Sequence, residues 1–399
     1  MTSKLKEGVM QGVFTLCACV SILAVALICI FLFANGVPTL FKIGPLKFLL
    51  GTTWKPGNDI FGILPMILGS IYVTAGAILV GVPIGLLTAI YMSKFASPRI
   101  NKVMLPAVQL LAGIPSVVYG FFGMIVLVPA VQAMVKSPFF KTVLHVKSGK
   151  GMSLFTAAVL LGIMILPTII TVSKASLDAV PDSYYEGSLA LGATHERSVF
   201  YAVLPAAKSG VLSAVILGIG RAIGETMAVV MVAGNQTWMP KGLFQGLRTM
   251  TSNIVIEMGY AADLHREALI ATGVVLSYSS CLSTSASALV KGVRTMPESA
   301  AAQTAADMTY AKPHAFMPAG GSNRRAARAQ AAALRWLVRM AALLTAAVLV
   351  FLIGYILVMG IPNLKPELFA WEYNSENVSL TPALINTVLM TAFSLAIST

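Results

Sequence analysis

The sequence predicts an all-α polytopic membrane protein, with about six spans followed by the first two spans of a second, truncated unit. Three observations carry this. Of the 399 residues, 57% are hydrophobic and 11% charged, where a soluble domain carries about 25% charged residues. The apolar residues gather into runs of about twenty, the length that crosses a bilayer as a helix. Each run is continuous, not alternating as the strands of a membrane β-barrel must be.

Taken in order, Lys4 and Lys6 precede an apolar run over 13–34. The run is too long for the core of a signal peptide, and no small-x-small cleavage site closes it. It reads as a first span with the N-terminus inside, stopped at Asn35-Gly36-Val37-Pro38. Residues 39–59 read as an outside loop, with Trp54 and Lys55 near the interface. The second span, 62–92, contains Pro65, Gly81, Pro83 and Gly85 and is expected to kink. A basic inside segment, 93–102, follows. The apolar segment 103–112 breaks at Gly113-Ile114-Pro115, then continues outward through Gly120 over 116–135. A broken helix at membrane depth is tolerated where it meets protein or a cavity, so this face is expected to line the path or a subunit seam.

Residues 136–152 form an outside loop carrying Lys136, Lys141, Lys147 and Lys150. Span four covers 154–172, and 174–206 is a long inside segment. Span five covers 209–233, and 235–266 is outside. Span six starts near Glu267, but Ser277 to Ser287 is rich in serine and inserts poorly beside a Leu/Val/Phe run. Residues 291–335, rich in Ala, Gln, Pro and Gly, read as a disordered inside linker. Span seven covers 341–359, and an eighth begins at Leu380. The expected domains are therefore a multi-span unit over 1–290, the linker over 291–335, and the start of a second unit over 336–399.

The net charge of +13 sits in the segments between spans. More of the Lys and Arg fall on the inside segments of this map, as the positive-inside rule requires, and they suit contact with anionic lipid. No aromatic-interleaved basic patch supports nucleic-acid binding. Cys17, Cys19, Cys29 and Cys281 lie in membrane-like sequence without zinc or disulfide spacing, and read as small hydrophobes. There is no Gly-x4-Gly-Lys-Ser/Thr loop for ATP, and His145, His195, His265 and His314 are scattered. These features argue against an enzyme and against a cofactor.

The end of the chain repeats its beginning. Gly36-Val-Pro38 matches Gly360-Ile-Pro362, Trp54 matches Trp371, and the stretch from Pro65 to Thr74 matches that from Pro382 to Thr391. Chance likeness of apolar helices is the competing reading; the ordered Gly-x-Pro, Trp and Pro…Thr matches favour a true repeat.

Two constellations carry the chemistry. The first is Glu186, Gly192, Ala193 and Leu204-Pro205 in the long inside segment. It reads as a short helix, a glycine-permitted turn, a second short helix and a proline starting the next span. Such a knob can dock into a cleft on a cytoplasmic partner; the bland alternative is a connecting loop. The second is Arg221 and Glu225, four apart in span five and expected on one face. A charge in a membrane helix marks a site by default, and arginine's planar fork suits a tetrahedral oxyanion. The alternative is a self-neutralising pair with Gly220 and Gly224 as a small-residue packing seam.

The stretch from Glu186 to Pro205 resembles the coupling motif of ABC importer permeases, with Gly187 and Ser188 in place of two alanines and Ala202 in place of the usual isoleucine. Gly-Arg221-Ala-Ile-Gly-Glu225-Thr-Met-Ala and the stretch from Ala112 to Gly123 resemble the phosphate-specific members, over residues 1 to about 276. The resemblance implies a type I ABC importer permease fold in a bacterial inner membrane. It also implies a second permease subunit, ATP-binding cassette subunits that bind the ATP, an extracytoplasmic phosphate-binding protein, and inorganic phosphate as substrate. Residues from about Met308 resemble the start of the partner permease, so the chain looks like one permease joined to part of another, and a reading-frame change near Leu276 would explain the serine-rich span. Other readings stay open: another oxyanion such as sulfate, molybdate or phosphonate; an ion-coupled carrier or channel; a non-functional fusion.

Overall fold

The computed structural model describes residues 2–137, 151–292, 324–364, 366–371 and 379–398. It is helical, as the continuous apolar runs require, apart from one two-stranded hairpin among the described residues. Among the described residues, five helical stretches are long and apolar enough to cross a membrane: Met10–Ile43, Leu64–Phe95, Ser116–Lys136, Leu154–Asp178 and Arg328–Gly360. The pair His195–Ala206 and Lys208–Gly224, bent by 73°, makes a sixth if counted as one span.

The chain forms two compact units, Asn35–Leu349 and a second made of Met1–Ala34 with Val350–Thr399. In the larger unit the central packing is between α3 (Leu64–Ile90) and α7 (Leu154–Asp178). Glycines make it close: a Cβ on Gly85 would stand 2.9 Å from Ile169, and one on Gly81 2.7 Å from Ile165. Small residues at such a crossing bring backbones together where lipid offers no hydrophobic drive for helix association. The other elements are α1 (Thr2–Ile43), α2 (Pro45–Leu50), β1 (Trp54–Lys55), β2 (Ile60–Phe61), α4 (Pro98–Gly113), α5 (Ser116–Phe122) and α6 (Val128–Lys136). After α7 come α8 (Asp182–Ala190), α9 (His195–Ser198), α10 (Leu204–Ala206), α11 (Lys208–Gly224) and α12 (Met227–Val232). The last are α13 (Met250–Glu257), α14 (Asp263–Gly292), α15 (Arg324–Gly360) and α16 (Thr381–Ser398).

Several expectations are corrected. The first helix does not stop at Asn35–Pro38 but runs to Ile43 with Pro38 inside it. Proline removes one backbone donor; nearby, the Thr39 hydroxyl donates to the Asn35 carbonyl at 3.1 Å. Gly36 packs so closely on α14 that a Cβ there would lie 3.2 Å from the Ala271 Cα. The loop read over 39–59 is folded: β1 and β2 pair antiparallel, and Trp54 is 5% exposed inside a core with Phe48, Phe61, Met66 and Leu269.

Span five is not continuous, since α11 ends at Gly224 and α12 restarts at Met227. The expected sixth span is helical from Asp263 to Gly292, but it is not among the stretches apolar enough to cross a membrane, and the expected eighth is only a shorter apolar helix, Thr381–Ala396. The serine hydroxyls of 277–287 lower the hydropathy of the former. Helix α15 begins at Arg324, inside the stretch read as linker. Residues 293–323 and the lysine-rich 138–150 lie outside the described residues.

Candidate functional site

The segment between α7 and α11 folds as its residues suggest. Asp182 begins α8 one residue after Pro181, and the helix ends where Gly192 takes φ +84°. That left-handed conformation is open to glycine at little cost. The turn is closed by the Gly192 N–H donating to the Leu189 carbonyl at 2.8 Å and the Ala193 N–H to the Ser188 carbonyl at 3.2 Å. Thr194 caps α9, and a wide turn, Val199–Val203, leads into Leu204-Pro205. Pro205 stands near the end of the helical stretch His195–Ala206, just before the bend that leads into α11.

This knob has one anchored side and one bare side. Tyr185 bonds His195 Nδ1 through its hydroxyl at 2.6 Å, and Phe95 sits edge-on to the His195 ring. Lys94 lies 3.7 Å from Asp182. Yet α8 has no buried residue: Glu186, Gly187, Leu189 and Gly192 are exposed, and Leu191 is 75% exposed. A Cβ on Gly187 or Gly192 would meet nothing within 4 Å.

The second constellation is set by two matched helix breaks. Ile114, after Gly113, and Glu225, after Gly224, both take φ −70° and ψ 127°, leaving the helix in an extended step. At the first break Pro115 follows and favours the extended conformation of the residue before it. At the second, the Glu225 carboxylate accepts from the backbone N–H of Thr226 at 3.1 Å and of Ala228 at 3.3 Å, so it caps α12. The short helices after the breaks, α5 and α12, pack together, and Gly120 permits it: a Cβ there would lie 3.0 Å from the Ala228 Cα.

Arg221 lies in the last turn of α11, half-buried, and its Nη1 donates to the Thr168 hydroxyl at 3.3 Å. Arg221 and Glu225 therefore do not share one helix face: the break between them turns the carboxylate to the backbone of α12. A Cβ on Gly220 or Gly224, or on Gly113, would meet no atom of this chain within 4 Å. Gly220 and Gly224 thus leave bare backbone on the helix that carries Arg221.

Tertiary structure adds two groups that spacing does not show. Glu257, on α13, gathers β1, α14 and the loop before its own helix: its carboxylate accepts from the Trp54 indole at 2.8 Å and from Arg248 at 2.5 Å, and lies 2.8 Å from His265 Nε2. Arg248 also donates to Asn253 Oδ1 at 2.9 Å and to the Asn235 carbonyl at 3.2 Å. Thr251, on the same helix as Glu257, donates to the Glu225 carbonyl at 3.4 Å, which ties α13 to the second break. The other group is Glu196, on the knob, paired with Arg335. The sequence signal for both was thin: an isolated Trp, His or Glu in a polar segment.

Residues 81–294 match the family described as "Binding-protein-dependent transport system inner membrane component", a stretch that holds both breaks and the knob. The chain is 38% identical over 270 residues to "Probable ABC transporter permease protein YqgH" of Bacillus subtilis, covering 66% of this chain and 84% of that protein. It is 35% identical over 259 residues to "Phosphate transport system permease protein PstC" of Mesorhizobium japonicum, covering 62% and 79%. A solved methionine ABC transporter in an inward-facing conformation overlays with a TM-score of 0.42 at 18% identity, covering 61% of this chain and 100% of that one; likeness at that level adds nothing to the family match. The chain belongs to the binding-protein-dependent transport system inner membrane components: it is a multi-pass permease subunit of an ABC importer, which works with a partner permease and with separate subunits that bind and hydrolyse ATP.

Proposed function

We propose that this chain is the permease of an importer for inorganic phosphate, and that Arg221 meets the anion in the pathway. The observation that carries the reading is Arg221 held by Thr168 in the last turn before the second break, where the backbone at Gly224 is bare. A guanidinium offers several donors in a rigid fork, and a tetrahedral oxyanion takes them in pairs. Glu225, spent on capping α12, keeps that break rigid and adds a negative charge near the path. Relatives at 32–35% identity carry the name of phosphate permeases, which supports phosphate over sulfate, molybdate or phosphonate.

On this reading Glu186, Gly192, Ala193, Leu204 and Pro205 shape the surface on which the ATP-binding subunit docks. An extracytoplasmic phosphate-binding protein delivers the anion, the N-terminus is cytoplasmic, and the membrane is the bacterial inner membrane. Residues 1–290 are the permease domain, and 336–399 begin a second unit of the same kind after the 291–335 segment. The parallel starts of α3 and α16, each with a proline in the first turn (Pro65 and Pro382), support that second unit. The test is uptake of labelled phosphate by a strain that lacks its own phosphate permease and carries this chain with its partners. Arg221→Gln should abolish uptake while the inserted amount is unchanged; normal uptake would end the substrate role of Arg221.

A further inference from the structure

Helix α15 is buried along one stripe only. Ala331, Val338, Ala342, Thr345 and Leu349 are buried, while Trp336, Leu337, Met340, Leu343 and Leu344 between them are exposed. Steps of three and four residues place the buried set on one face of a helix. Val338, fully buried, joins a cluster with Ala89, Ile90, Leu177, Val199 and Val203, so the stripe lies where α3, α7 and the knob meet.

Two polar anchors fix its register. Glu196 on α9 is 1% exposed, and Arg335 donates to its Oε1 from Nε at 2.6 Å, with Nη2 of the same guanidinium also against that oxygen. A carboxylate taken out of water is costly unless a cation and donors accompany it, and α15 brings both. Ten residues along α15 the Thr345 hydroxyl, which bonds the Ala341 carbonyl, meets the Thr88 hydroxyl at 2.9 Å, both buried. Near the start of the stripe Gln330 donates to the Tyr201 hydroxyl at 3.2 Å. Charge, hydroxyl and shape therefore agree on one docking.

We propose that the face formed by Thr88, Glu196 and Tyr201 is a helix-docking site, and that its occupant is α15 of the same chain. The downstream segment then acts in cis as a strap across the root of the knob. It ties α9 to the end of α3 through a buried ion pair at one point and a hydroxyl pair at the other. This holds whichever anion is carried, and whether or not the knob docks an ATP-binding subunit.

Cysteine cross-linking in the full chain tests it. Cys17, Cys19, Cys29 and Cys281 are replaced by serine, and Thr88→Cys with Thr345→Cys is oxidised mildly in membranes, then mass-tagged with a maleimide polymer. The facing hydroxyls put these positions within the reach of a disulfide. Most of the chain is expected to run as a monomer protected from tagging. Arg335→Gln should slow the cross-link about fivefold or more, the scale of a lost charge-assisted hydrogen bond. Exchanging the charges, Glu196→Arg with Arg335→Glu, should restore it, which separates loss of the pair from misfolding. Full tagging without oxidation product would overturn the docking. A dimer-sized adduct would show that a second copy supplies the helix, and a rate indifferent to Arg335→Gln would remove the ion pair from it.

Discussion

Arg221 donates through Nη1 to the hydroxyl of Thr168 at 3.3 Å, across the pair of helices α11 and α7. The hydroxyl sits on a helix held tightly against α3, so it fixes one corner of the guanidinium at the second break. Thr168→Val should keep the chain inserted but raise the KM for uptake about threefold to tenfold, the worth of one such bond, and Thr168→Ser should recover most of the loss. Kinetics of labelled phosphate uptake separate the three; a Val variant with parental KM would mean that Arg221 needs no such holder.

Glu225 is expected to matter first as a cap. Glu225→Ala leaves the N–H groups of Thr226 and Ala228 without the acceptor they now share, and should cost about 1 kcal/mol of stability. Glu225→Gln keeps an acceptor oxygen and should stay close to the parent. Thermal unfolding in detergent measures both, and equal stability of the Ala variant and the parent would deny the capping role.

The glycines divide into two kinds, which substitution should expose. Gly120→Val places a branched side chain against the backbone of Ala228 and the Met231 side chain, and overpacking of this sort costs about 1–3 kcal/mol. Gly224→Ala meets open space and should change the stability of the isolated chain by less than about 0.5 kcal/mol. If the Ala variant is stable alone yet fails to co-purify with the partner permease, the bare backbone is the seam between the two.

Glu257 closes a buried network of Trp54, Arg248 and His265. Glu257→Ala would leave Arg248 inside without its carboxylate, a change that costs about 3–5 kcal/mol when a buried pair loses one member. Trp54→Phe removes only the indole donor and should cost about 1 kcal/mol. Denaturation midpoints order the two; a milder effect for Glu257→Ala than for Trp54→Phe would show that the network is solvated.

The knob can be tested without touching the pathway. Gly192→Val forces a branched residue into φ +84°, a strain of about 1–2 kcal/mol, and Leu191→Glu puts a charge on its most exposed apolar residue. Both should insert normally and lose co-purification with the ATP-binding subunit. Full recovery of that subunit with both variants would take the docking role from this surface.

Much of this architecture was legible in the residues alone. Continuous apolar runs settle helix over barrel because lipid leaves no other way to satisfy the backbone. Gly113-Ile114-Pro115 announces its break, since glycine and proline act on their own φ and ψ, and Gly192 announces its turn for the same reason. These are local effects, and local effects can be read in order along a chain. The positions of the stop after the first helix and of the break at Glu225 were not legible. Helix α1 runs on through Pro38 while Gly36 packs on Ala271, and although Gly224 is a weak helix former, Gly218 and Gly220 stand inside α11, so no residue type tells which glycine ends it.

What the sequence determined by itself is therefore the class of molecule, the first four membrane-length helices, the first break and the shape of the knob. Only the tertiary structure decided that Arg221 turns to Thr168 and not to Glu225, that Trp54, Arg248 and His265 converge on Glu257, and that Glu196 faces Arg335. Arg221 and Thr168, Trp54 and Glu257, and Glu196 and Arg335 each lie far apart in sequence; Arg248 and His265 lie within nine residues of Glu257, but no helical spacing pairs them with it. A buried charge takes whichever donor or acceptor the packed helices bring to it, and that choice is made by shape and desolvation between helices, which no spacing along one chain encodes.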